Sequence, residues 1–157
     1  MKKALQDQGF DNLDRAILDE LQTNGRVSVA DLARKIHLSQ PAVHNRIKRL
    51  ERRGVIRGYV ALVDREQVGY DVMCFVQLSI QQEHINTIRE AVGQMPQVLE
   101  CYRMTGESDM LLKVVVGNHR QLNEFIEHTL CVLPGIQRVE TAVVLSEMKA
   151  TTQISLD

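Results

Sequence analysis

Signatures of a cofactor, a membrane or an export route are scarce in this chain of 157 residues. Its three cysteines, Cys74, Cys101 and Cys131, lie far apart and form no Cys-x-x-Cys pair. That argues against a disulfide framework or a thiolate zinc site and fits a reducing cytosol. The N-terminus MKKALQDQGF has basic residues but no apolar segment behind them, so it does not read as a signal peptide. No run approaches the roughly 20 apolar residues that span a bilayer. A Gly-rich phosphate loop, a His-x-x-x-His pair and a Gly-x-Ser-x-Gly nucleophile motif are all missing. The expectation is a soluble, cytoplasmic protein with no metal and no cofactor, and little supports catalysis.

What the chain does have is an uneven distribution of charge. The net charge is −1, yet up to Asp64 there are twelve basic and eight acidic residues, a net of +4. From Arg65 onward there are seven basic and twelve acidic, a net of −5. Such asymmetry predicts two units with different partners, the basic half being the candidate for nucleic acid. The bias peaks between Arg46 and Arg57, where six cations (Arg46, Lys48, Arg49, Arg52, Arg53, Arg57) face one acid, Glu51.

Three short helices are predicted before residue 54. Leu13, Ile17, Leu18 and Leu21 form a helical stripe after a cap at Asp11 or Asn12, and Asn24-Gly25 stops it. Ser28 with Asp31 three residues on opens a second helix that buries Val29, Leu32, Ala33 and Ile36. His37-Leu38 makes a tight turn. Ser39 then caps a third helix with Pro41 in its first turn, inner face Val43, Ile47 and Leu50, and terminator Gly54. This is a helix-turn-helix by geometry. Gln40, His44, Asn45, Lys48 and Arg49 point away from the inner face. They place amide, imidazole and cationic groups where base edges and phosphates of double-stranded DNA would be met. A merely solvated face is the competing reading of the cations, weakened here by the helix-turn-helix that precedes them. Val55 to Val63 is β-rich and is expected to form a linker strand.

The second half reads as βαββαβ. Strands are expected at Met73–Ile80, Val98–Met104, Asp109–Val116 and Ile136–Ser146, with amphipathic helices marked by Ile85, Ile88, Val92 and by Leu122, Phe125, Leu130. That order is the ferredoxin-like split βαβ fold, with both helices on one face of an antiparallel sheet. Asp109–Val116 is almost continuously apolar, as for a strand buried on both faces. A second subunit covering the open face is the simplest consequence, and a homodimer would also pair two DNA-reading heads. Glu107 and Asp109 put two carboxylates on one turn, an arrangement that hairpin turns also collect for backbone reasons.

Taken together, Leu13-Asp14-Arg15 with Ile17-Leu18, the stretch GRVSVADLARKIHLSQPAVHNRIKRLERRGVIRGYVALVD, VLECYRMTGESDMLLKV, the LPGI at Leu133 to Ile136 and the tail VVLSEMKATT resemble the Lrp/AsnC, or feast/famine, transcriptional regulators. The resemblance covers nearly the whole chain. It implies an α+β protein: an N-terminal three-helix helix-turn-helix domain (1–54), a strand linker (55–70) and a C-terminal ferredoxin-like βαββαβ domain (71–157) for oligomerisation and effector binding. It implies a homodimer that assembles further, up to an octamer, and a small effector, commonly an amino acid. DNA contacts would come from Ser39, Gln40, Pro41, His44, Asn45, Arg46, Lys48, Arg49 and Arg52. The family's effector loop resembles Gly-x-aromatic-Asp, and Gly106, Glu107, Ser108 and Asp109 occupy it here, with a serine where an aromatic is usual. Thr105, Gly106, Glu107, Ser108 and Asp109 are the implied effector contacts, with Val139 and Thr141 on the last strand lining the same pocket from a neighbouring subunit. A weakly specific architectural DNA-binding protein, or a metabolite-binding or enzymatic domain with a vestigial helix-turn-helix, is the alternative.

Overall fold

The computed structural model describes residues 9–156, so the basic start of the chain lies outside the described residues. Two compact units result, one from residues up to Leu62 together with the segment from Lys149 onward, the other from Val63–Met148.

Helices α1 (Asn12–Thr23), α2 (Val29–Lys35) and α3 (Gln40–Arg52) build the first unit. Each begins where a short polar side chain can satisfy an orphan amide. Asp11 closes a reciprocal capping box with Asp14, Ser28 accepts from the Asp31 N–H, and Ser39 accepts from the Ala42 N–H. His37 takes a positive φ of 55° to make the tight turn before α3, and Gly54 ends that helix at φ 69°. Ile17, Leu32, Val43 and Leu50 are fully buried at the centre of the unit, each removal from water stabilising by about 1.5–3 kcal/mol. The segment after Lys149 belongs to this unit as well. The Gln22 amide holds both backbone groups of Ile154, accepting its N–H at 2.7 Å and donating to its carbonyl at 3.0 Å. The sequence pattern assigns this tail to the sheet domain instead, because nothing local marks its return to α1.

Residues 55–63 form no strand. Their β-branched content favours extension, but a strand requires a neighbour for its N–H and C=O groups, and none pairs with them among the described residues. Val60 and Leu62 are left 85% and 80% exposed.

In the second unit β1 (Val72–Ile80), α4 (Ile85–Gly93), β2 (Val98–Arg103), β3 (Met110–Val116), α5 (His119–Phe125) and β4 (Ile136–Val143) follow the βαββαβ order. The sheet runs β2-β3-β1-β4, and every pairing is antiparallel. A π-helical turn, Ile126–Leu130, continues α5. Cys74, Val76 and Leu78 of β1 and Leu112 and Val114 of β3 pack with Ile88, Val92, Phe125 and Leu130 in one core. Strand β3 is buried on its helix side and partly buried on its open side within the single chain, where Val115 is 5% exposed. Met110, Leu112, Val114 and Val116 are buried on the helix side; on the other side Val115 is buried and Leu111 and Lys113 are half-buried. The last strand stops at Val143 rather than Ser146, although the Val144 N–H still reaches the Met73 carbonyl at 2.9 Å.

Candidate nucleic-acid interface and effector loop

Val43 and Leu50 bury one face of α3, which turns Gln40, Pro41, His44, Asn45, Lys48 and Arg52 outward, all exposed together with the cap Ser39. The amide and imidazole groups stand toward the N-terminal end of this face and the cations toward its C-terminal end. Arg52 lies along the helix, its Nε donating to the Lys48 carbonyl at 3.4 Å.

Arg46 and Arg49 do not join that face. Arg46 Nη1 sits 2.7 Å from Asp11 Oδ2 and 2.8 Å from Asp14 Oδ1, and Arg49 Nη2 sits 2.6 Å from Asp14 Oδ2. Asp14 is 0% exposed and is the buried charged residue among the described residues. Sequence reasoning missed it. The available signal was an acid set inside the apolar stripe of Leu13, Ile17 and Leu21. The pairing holds the Arg46 guanidinium above its usual pKa, mainly through its bonds to Asp11 and then Asp14. For Asp11, partial burial pushes the pKa up, but the Asp14 amide and Arg46 together outweigh it and hold the carboxyl below the usual range. Arg53 stacks over the Phe10 ring, 4.7 Å from its centre.

In the second unit Thr105, Gly106 and Glu107 are exposed, and Ser108 and Asp109 are half-buried. Gly106 has φ 125° with no atom within 4 Å of the place a Cβ would occupy, so its role is conformational. Asp109 fastens the loop to the end of β1. Its Oδ2 accepts the Ile80 N–H at 2.7 Å, its Oδ1 accepts Gln82 Nε2 at 3.2 Å, and its own N–H donates to the Leu78 carbonyl at 2.8 Å. Ser108 Oγ lies 3.1 Å from Gln77 Oε1, and Ser79 Oγ donates to the Glu107 carbonyl at 3.3 Å. Within one chain Val139 and Thr141 lie apart from this loop, as expected of residues that would reach a pocket from a neighbouring subunit. Strand β1 intervenes, with Leu78 paired to Val139 on one edge and to Met110 on the other. Val139 packs against the core, and Thr141 is exposed.

A helix-turn-helix with a cationic outer face, followed by a ferredoxin-like sheet unit with a fastened loop, defines a two-part DNA-binding regulator. The profile of the AsnC-type helix-turn-helix domain matches residues 10–51, and that of the Lrp/AsnC ligand binding domain matches residues 73–154. Transcriptional regulator AzlB of Bacillus subtilis is 35% identical, with 94% of this chain and 96% of AzlB covered. The Leucine-responsive regulatory protein of Escherichia coli is 33% identical, with 92% and 90% covered. Among solved structures, transcriptional regulator NMB0573 of Neisseria meningitidis in complex with L-Met superposes with a TM-score of 0.91 at 33% identity, covering 94% of this chain and 97% of the other. The chain belongs to the Lrp/AsnC family of transcriptional regulators.

Proposed function

We propose that this regulator acts in the cytoplasm as a homodimer or a higher assembly up to an octamer, and reads specific sites in double-stranded DNA through the outer face of α3. The observation that carries the reading is the segregation on α3. Gln40, His44 and Asn45 stand near its N-terminal end, Lys48 and Arg52 farther along, and Val43 and Leu50 lie buried opposite. Amides and imidazoles can bond base edges, while the exposed cations meet phosphates and Ser39 and Pro41 set the entry of the helix. Arg46 and Arg49, engaged with Asp14, drop out of the contact set. Replacing Asn45 by Ala should relax the profile selected from a randomised DNA pool, at about 1–3 kcal/mol for a good bidentate contact. An unchanged profile overturns the orientation given to α3.

The effector is proposed to be an amino acid held at the loop from Thr105 to Asp109. Both Asp109 oxygens keep a lone pair beyond the bonds they accept, so the carboxylate can still take an ammonium. The Neisseria relative, solved with L-Met, makes L-methionine the first of the twenty amino acids to test by thermal shift, since ligands of the folded state raise the melting point. An effector that prefers one assembly shifts its population and so the spacing of the reading heads. The exposed Val60 and Leu62, with Tyr102 and Leu111 on the open sheet face, favour self-association. Sedimentation of the full chain should give a dimer or larger; a monomer at micromolar concentration overturns this part.

A further inference from the structure

We propose that Asp14 is a positioning residue for DNA reading: it withdraws Arg46 and Arg49 from the phosphates and makes them two struts that fix the rotation of α3 on α1. The inference rests on the reading that α3 enters the groove. Its support is geometric. One fully buried carboxylate uses one oxygen for Arg46 at 2.8 Å and the other for Arg49 at 2.6 Å, and these arginines stand on successive turns of α3. A helix attached at two points three residues apart cannot roll or slide along α1 without breaking one bond. Apolar packing at Val43 and Leu50 is non-directional and does not set that angle by itself. Asp11, at the start of α1, takes a second bond from Arg46 and closes the bracket from outside.

The same bonds change the electrostatics of binding. Two of the cations that the sequence offers to DNA are neutralised inside the protein, which lowers attraction to any polyanion and leaves discrimination to the outer face. Releasing them should therefore strengthen the wrong kind of binding. A residue with only a structural role would weaken both kinds together.

The test uses the full chain with two duplexes, the best site from a randomised pool and a scrambled duplex of equal length and composition, titrated over a salt series. Asp14→Asn should lower the ratio of specific to non-specific affinity at least about 10-fold. The scrambled duplex should bind more tightly, with a log–log salt slope steeper by roughly 1 as the freed Arg49 reaches a phosphate while Arg46 keeps Asp11. Arg49→Gln leaves Asp14 paired with Arg46, so it keeps the test decisive if Asp14→Asn fails to fold. It should lower the ratio without changing the slope; a slope shallower by about 1 would show Arg49 on a phosphate and overturn the inference. If wild type discriminates between the duplexes and Asp14→Asn discriminates equally well, the inference fails and the DNA-reading function stands. If wild type binds both alike, the function fails and the inference with it.

Discussion

The sheet unit encloses fifteen apolar residues in one core, and no charged side chain is buried there among the described residues. The helical unit encloses six, together with one carboxylate, Asp14. Apolar burial stabilises in proportion to area and tolerates small rotations of the elements that make it. The sheet unit can rely on it because the β ladder already fixes strand register, and a slip of one residue would turn the core outward. Three short helices have no ladder, so direction must come from polar bonds. The helical unit places three arginine–carboxylate bonds between α1, with its cap Asp11, and α3, the helices whose relative angle matters most. A small core can be made specific by charge where it cannot be made so by area.

Deleting the centre of the larger core should have the largest effect. Leu112→Ala removes a fully buried side chain under β3 and should cost about 2–5 kcal/mol in urea unfolding. Next comes Asp14→Ala, at about 1–3 kcal/mol, because Arg46 keeps Asp11 while Arg49 is left with a half-buried, unpaired guanidinium. If Asp14→Ala costs more than Leu112→Ala, the contrast between an area-held and a charge-oriented unit is wrong. Asp11→Ala removes the cap of α1 and the outer bond to Arg46, for about 1 kcal/mol of melting stability.

Acid should act in the same direction on the helical unit. Asp11 and Asp31 both have pKa values lowered by folding, Asp31 chiefly by the Ser28 hydroxyl and then Arg34. A depressed carboxylate stabilises fully above its unfolded pKa and loses that contribution as pH falls through the folded value. Circular dichroism of the helices should therefore stay constant down to about pH 4 and weaken below it. Arg138→Ala should do least. It breaks a pair with Glu140 on β4 that is exposed in the single chain, and a change beyond about 0.5 kcal/mol in melting would mean that assembly covers this pair.

Caps and periodicities were legible in the sequence because they are local. Asp11, Ser28 and Ser39 each bond an amide three residues away, and the βαββαβ order follows from alternating and helical spacing. The missed features join distant residues. Asp14 meets Arg46 and Arg49 across 32 and 35 positions, so only the packed fold shows that these cations are occupied. Asp109 was legible as a position of the effector-loop motif through the family resemblance, but its bonds to Ile80 and Gln82, 29 and 27 residues earlier, were not. The segment 55–63 failed for a different reason: extended propensity lies in the residues, whereas pairing lies in a neighbour.

The bond pair between Gln22 and Ile154 has a consequence for the order of synthesis. Residues 63–148, the whole sheet unit, emerge between the three helices and the segment that completes their unit. At roughly 5–20 residues per second, that interval is on the order of ten seconds. During it the helices can form and pack, but the Gln22 amide has no Ile154 backbone to bind. The three helices are thus translated before the segment that joins them, and a nascent reading head lacks the Gln22–Ile154 bonds until that segment has left the ribosome.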